Sequence, residues 1–249
     1  MIAHQVLSII PLKSVLGSSV MVYCVSSYRD LNFIPHLQPW SSFFIVKNIQ
    51  SQAITLSSSF SEYAGYNNPI DYLGKTDYAL KCRGYELAEL FMKHDREIIS
   101  RNENRTFLYI SYESNHELSI YYMTKESINS HMICNAKILS HQELGKSLFE
   151  QLKSIPSHHL KKINTFYEVV NSYENLSPRE TETYYLLLQR KSSNDIAAQL
   201  SLSPRTIQHY IENIKLKMNC TSTQELIELG MYLKLHEKMP FGLALPSRS

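Results

Sequence analysis

The chain has 249 residues, 43% of them hydrophobic and 19% charged, a composition that supports two globular domains with real cores and argues against disorder. Lys and Arg total 25 against 23 Asp and Glu, so a formal charge of +2 favours neither a nucleic-acid nor a membrane partner, and any case for DNA must come from motif geometry. Cys24, Cys82, Cys134 and Cys220 include no close pair. That spacing excludes a CxxC zinc or redox site, offers no disulfide framework and fits a reducing cytoplasm.

Residues 1–35 form an extension with no assigned role. Val15 to Val25 is about as long as a signal-peptide core, but Lys13 and Gly17-Ser18-Ser19 interrupt the apolar run. It falls short of a membrane span, and an extra strand or loose extension is the simpler reading. From 36 to 140 the expected strands are Ser42–Lys47, Ala53–Leu56, Arg105–Tyr112, Leu118–Lys125 and Met132–Leu139, rich in Tyr, Phe, Ile and Thr. Between them, Ser57 to Ser59 can cap a short helix, Gly65 and Asn67-Asn68-Pro69 make a turn, and Tyr85–Ser100 reads as an amphipathic helix with Leu87, Leu90, Phe91, His94 and Ile98 on one face. Two strands, helices and three more strands are an α+β pattern. Residues 141–172 read as a helical linker, with Leu144, Leu148 and Leu152 spaced four apart, then Ile163, Phe166 and Val170, broken at Pro156. Residues 239–249, with two prolines and a glycine, read as a flexible tail.

The remaining segment, 173–238, carries four helix starts. Ser177-Pro178-Arg179-Glu180 combines a capping serine, a first-turn proline and a capping-box glutamate. Ser192 or Ser193 caps a second helix with Ile196, Ala197 and Leu200 facing inward; three residues later Ser203-Pro204 opens a third, and Ser222 with Glu225 a fourth. Two short helices joined by a tight turn form a helix-turn-helix, whose second helix enters the major groove. On the third helix Ile207, Ile211, Ile214 and Met218 make an apolar stripe, opposite Arg205, Gln208, His209 and Glu212. Gln208 can pair with adenine, Glu212 can accept from cytosine and His209 can serve either way, which makes these three the candidates for base contact. Ser203, Arg205, Thr206 and Lys215 are the phosphate-contact candidates.

The LSPRE opening, the IAAQL-x-LSPRTI middle and the N-I-x-x-K-M-x-C-x-S-x-x-E-L-I ending of residues 176–235 resemble the LuxR-type (GerE-like) four-helix DNA-binding domain. The resemblance implies a bacterial transcription regulator, and not an enzyme, that binds palindromic double-stranded DNA as a homodimer supported by the fourth helix and works with RNA polymerase. The sequence departs from the family at Arg190 and Ser201, where turn glycines are usual, at Tyr210 in place of histidine, and at Asn194-Asp195 in place of Lys-Glu. From 175 to 238 there are eight Lys and Arg against seven Asp and Glu, a low charge for phosphate neutralisation, so a monomer should bind DNA poorly.

FFIVKNIQSQAITLSSSFSEYAGY, LGKTDYAL and AELFMKHDREIIS resemble PAS domains, which implies a five-stranded antiparallel sheet with helices that senses a small-molecule signal or dimerises. No cofactor is expected. Lys81 and Gly84-Tyr85 replace the residues that flank the flavin-reactive cysteine of light sensors, so Cys82 does not read as a flavin site. His94, or His116 in a loop, could be a haem ligand, but a hydrogen-bonded core histidine is the simpler reading. The expected fold is therefore α+β: a PAS-like domain, a helical linker and an all-α four-helix domain. Catalytic signatures such as GxSxG, HExxH and a P-loop are absent, no metal site is expected, and a receiver domain would need a βα alternation that is missing here. Dimerisation and ligand-binding residues are not legible, and a quorum-type autoinducer pocket fits an aromatic α+β cavity. The rival function is a PAS dimerisation adaptor whose helix-turn-helix serves protein contacts. A cytoplasmic location, with no membrane partner, is expected in either case.

Overall fold

The computed structural model describes residues 7–13, 19–25, 38, 41–112, 117–153 and 155–245. It divides into two compact units, the first of residues 1–138 with 158–165, the second of 139–157 with 166–249.

In the first unit seven antiparallel strands follow the spatial order β1-β2-β4-β3-β7-β6-β5. They are β1 (Leu7–Lys13), β2 (Ser19–Val25), β3 (Phe43–Lys47), β4 (Ala53–Ser57), β5 (Asn104–Tyr112), β6 (Leu118–Ile128) and β7 (His131–Ile138). The five strands expected between 36 and 140 are present; the extension adds two, because β2 pairs with β4 through Val22 and Ser57. The remainder of the signal-like run, 15–18, lies outside the described residues, as does His116. Helix α1 (Ser58–Tyr63) starts where Ser57 Oγ accepts the amide of Phe60 at 3.2 Å.

Three 3₁₀ turns lead to α2 (Ala88–Arg101), so the helix begins three residues later than the amphipathic pattern predicts. Its buried stripe is Ala88, Phe91, Asp95 and Ile98. A carboxylate thus occupies the middle of the face that packs on β6 and β7. The helix closes on Asn102 in the left-handed conformation, where an asparagine is tolerated.

The second unit holds α3 (Lys146–Lys153) and the helices α5 (Pro178–Leu188), α6 (Ser193–Leu200), α7 (Pro204–Lys217) and α8 (Thr223–Tyr232); a single turn, α4 (Ser157–Leu160), lies at its boundary with the first. Two corrections to the sequence reading arise here. The stretch expected to complete a helical linker contains a strand, β8 (Asn164–Val170), which pairs in parallel with β9 (Lys238–Pro240). Thr165, Phe166, Tyr167, Val169 and Val170 are β-branched or aromatic, and a partner strand turns that propensity into pairing. The segment expected to be a flexible tail supplies that partner and then α9 (Phe241–Ala244), with Met239, Leu243 and Ala244 buried; residues 246–249 lie outside the described ones. The four helices expected over 173–238 are present, and the strand pair lies at the edges of that segment.

Helix α5 is the centre of this unit, with every residue from Glu180 to Leu188 buried. Helices α6, α7 and α8 pack on it, and β9 and α9 cover what they leave. Gly230 on α8 permits a close approach: a Cβ there would lie 2.6 Å from Leu188 Cδ2 and 2.8 Å from Tyr184 Oη. The Tyr184 hydroxyl donates to the Leu226 carbonyl at 2.6 Å, so this polar group reaches the core fully satisfied.

Candidate nucleic-acid interface

Every helix of the four-helix segment starts on a side-chain cap. Ser177 accepts from Glu180 N and Glu180 Oε2 accepts from Ser177 N at 2.8 Å, completing a capping box. Ser192, rather than Ser193, caps α6, with Asp195 as the reciprocal partner. Ser203 caps α7 by accepting from Thr206 N at 3.1 Å. Ser222 caps α8, but Glu225 turns instead to Thr221, whose amide and hydroxyl it accepts at 2.7 and 2.8 Å, so that box is not reciprocal. Burial of Glu180 opposes its charge; its bonds to Lys217 and Ser177 outweigh burial and hold its pKa below the usual range. The Lys217 to Glu180 ion pair ties the end of α7 to the start of α5.

Between α6 and α7 the chain turns on Ser201, φ 56°, and α5 ends beyond Gln189 at Arg190, φ 62°. Both positions require the left-handed region that glycine enters most easily, yet carry side chains. Helix α7 buries Ile207, Ile211 and Ile214 against α5 and α6 and leaves the opposite side open.

On that open side Arg205, Gln208, His209 and Glu212 are exposed. Their side-chain commitments differ. Among the described residues, Arg205 and Gln208 make no side-chain hydrogen bond or ion pair. Glu212 pairs with Lys215 at 2.8 Å, its side chain 64% exposed and that of Lys215 only 16%. His209 Nε2 lies 3.2 Å from Asn213 Nδ2. Ser203 and Thr206 share a hydroxyl contact of 2.8 Å at the helix start. The seven residues singled out in the sequence thus lie on one 14-residue helix and its cap. Asn213 was missed, although an asparagine four residues after a histidine is the helical spacing at which side chains meet.

Residues 174–229 match the family of bacterial regulatory proteins, luxR family. That segment is a luxR-type DNA-binding domain. That family is one of transcription regulators, not of enzymes. Solved structures similar to the chain include the Vibrio cholerae VqmA dimer in the absence of target DNA, at 18% identity over 83% of this chain and 92% of that one with a TM-score of 0.40. They also include a phage VqmA–DPO complex, at 24% identity over 81% and 87% with a TM-score of 0.36. No curated protein matches the chain. Among the described residues no helix is long and apolar enough to cross a membrane.

The first unit contains a second candidate site, a cavity of about 40 Å³ between the sheet and α2. That is room for a few water molecules, each of which needs about 10–15 Å³ of such space. Phe43, Phe60, Tyr63 and Phe91 form part of its wall, and Lys47, Asp77 and Lys125 reach its edge. Lys47 Nζ sits 2.5 Å from Asp77 and 3.0 Å from Asp95, and Lys125 Nζ 2.5 Å from Asp95, all four side chains at most 4% exposed.

Two cations and two carboxylates balance in number, which is how buried charge is tolerated. Burial works against the charge on Lys47, yet Asp77 and Asp95 hold its pKa above the usual value. Burial also disfavours the Asp95 carboxylate, and Lys125 and Lys47 reverse it, holding its pKa low; for Asp77 burial prevails and its pKa is raised. Cys134, on the same wall, is pushed up to about 11 by burial and stays a thiol. His94 packs 5.0 Å from the ring of Phe107 and is pushed down to about 4, first by burial and then by Lys125. The sequence reading missed this quartet because its members come from positions 47, 77, 95 and 125 on four separate elements. The available signal was Asp95 in line with Phe91 and Ile98 on one helical face.

Proposed function

We propose that the regulator binds a palindromic DNA site as a homodimer and that its first unit is a PAS-like sensor for a small molecule. Helix α7 enters the major groove with Gln208, His209 and Glu212 toward base edges and Ser203, Arg205, Thr206 and Lys215 toward phosphates. The observation that carries this reading is the division of α7 into a buried isoleucine stripe and an open side with uncommitted Arg205 and Gln208. Lys215 reaches phosphate by exchanging Glu212 for DNA. Helix α8 supports dimerisation: Met231, Tyr232 and Leu233 at its end are exposed, Tyr232 by 84%, which is costly for large apolar groups unless a second copy covers them. The dimer recruits RNA polymerase. The sensor reading rests on the strand order β4-β3-β7-β6-β5 and on an aromatic cavity edged by buried charge, which at about 40 Å³ has to widen to admit anything larger than water.

Selection of bound DNA from a random pool, followed by gel shifts, tests the proposal. Gln208→Ala with His209→Ala should erase the selected preference while the circular-dichroism spectrum is unchanged; an unaltered preference would remove α7 from the groove. The near-neutral charge of residues 175–238 favours a second reading, a dimerisation adaptor acting through protein contacts. An adaptor would show no salt-dependent DNA binding.

A further inference from the structure

Of the three residues assigned to base edges, His209 is the one whose chemistry is ambiguous. A neutral imidazole donates from one nitrogen and accepts at the other, and which does which depends on the hydrogen bond the ring already makes. Here that bond is visible. Asn213 follows His209 by one helical turn on α7, and its Nδ2 lies 3.2 Å from Nε2. Among the described residues the His209 ring makes no other hydrogen bond. Asn213 is half-buried, whereas the ring it touches is exposed.

We propose that Asn213 is a specificity-determining positioning residue: by donating to Nε2 it fixes the His209 ring and places the hydrogen on Nδ1, so that the groove meets a donor. This rests on the reading of α7 as the groove helix. A carboxamide N–H can only donate, so Nε2 must accept and the single ring hydrogen of the neutral form resides on Nδ1. A free histidine prefers the opposite tautomer, so the arrangement is imposed by Asn213. The uncommitted Nδ1–H matches acceptors on the major-groove edge, namely purine N7, guanine O6 and thymine O4, and rejects the amino groups of adenine and cytosine. Glu212, an acceptor without hydrogens, makes the reverse selection one turn away. The pair therefore gives the helix a donor and an acceptor at defined places.

The test has two arms on the full chain. In the first, a long-range proton–nitrogen correlation spectrum of the ¹⁵N-labelled protein at alkaline pH, without DNA, reports the tautomer of His209, assigned by the signal lost in His209→Gln. The protonated Nδ1 form is expected, and Asn213→Ala should return the ring to the Nε2–H form. A wild-type ring already in the Nε2–H form would mean that the carboxamide presents its oxygen, and would overturn the proposal.

In the second arm, DNA selected by wild type, Asn213→Ala and Asn213→Asp is compared. Aspartate can only accept, which moves the hydrogen to Nε2 and leaves Nδ1 bare, so the preference at one base pair per half-site should shift toward adenine or cytosine amino groups; alanine should relax that position alone. Preferences identical in all three proteins would overturn the proposal whatever the spectrum shows. The first arm uses no DNA, so a failure of the groove reading, detected with Gln208→Ala and His209→Ala, is distinguishable from a failure of this one.

Discussion

Arg190 and Ser201 hold left-handed backbone at the ends of α5 and α6, with φ of 62° and 56°. The conformation costs a residue with a side chain about 1 kcal/mol or more, whereas glycine adopts it freely but gives up more entropy on folding. The first effect is the larger, so Arg190→Gly and Ser201→Gly should each stabilise the protein by roughly 0.5 kcal/mol, seen as a higher urea midpoint at constant slope. A lower midpoint would show that the side chains contribute more than their backbone costs.

His94 carries the opposite burden. Its folded pKa of about 4 lies below the unfolded value of about 6.5, so the unfolded chain binds the proton more readily between these pH values. The stability associated with the neutral ring is complete above about pH 6.5 and disappears as pH falls to about 4. Because the ring is partly exposed, the loss should be about 1–2 kcal/mol, less than the full shift would give. Replacing His94 by Gln should flatten the pH dependence of the melting temperature in that window, and an unchanged slope would contradict the assignment.

Among elements, the contact of α5 with α8 leaves no room for a methyl group. Gly230→Ala would gain about 1 kcal/mol of helix propensity but drive a methyl into Leu188 and the bonded hydroxyl of Tyr184, an overpacking of about 1–3 kcal/mol. Leu188 can yield; Tyr184, buried and hydrogen-bonded, cannot. A net destabilisation of about 1 kcal/mol is expected by chemical denaturation. Deleting 239–249 should cost on the order of 3–5 kcal/mol, since Met239 and Leu243 leave the core together.

The same elements show what a sequence reveals. Ser177, Ser192, Ser203 and Ser222 announce their helices because a cap is made within three residues, and β3 to β7 announce themselves through short runs of aromatic and β-branched residues. Strand β8 and the tail escape because each acquires its structure from the other, Glu168 opposite Lys238 across 70 positions. The face of α7 was readable by the same local logic, but the commitments of Glu212 to Lys215 and of His209 to Asn213 needed side-chain geometry. The buried quartet of Lys47, Asp77, Asp95 and Lys125 needed the whole fold.

At the scale of the molecule the low charge of residues 175–238 makes DNA affinity depend on few cations. If Arg205 neutralises one phosphate in each subunit of a dimer, Arg205→Ala should lower the slope of log affinity against log salt by about 2 and weaken all sequences alike. A smaller effect confined to one operator would mark Arg205 as a base reader.

The chain passes from one compact unit to the other at 138/139, 157/158 and 165/166. Neither unit can therefore be excised as one uninterrupted stretch. A fragment of 173–249 would lack β8, which pairs with β9, and Gly145, whose amide donates to Ala244 at 2.9 Å; one of 139–249 keeps both and should melt at a higher temperature. Anyone grafting this luxR-type domain onto a foreign partner must carry 139–157 across with it, or the transplant arrives with α9 stripped of α3.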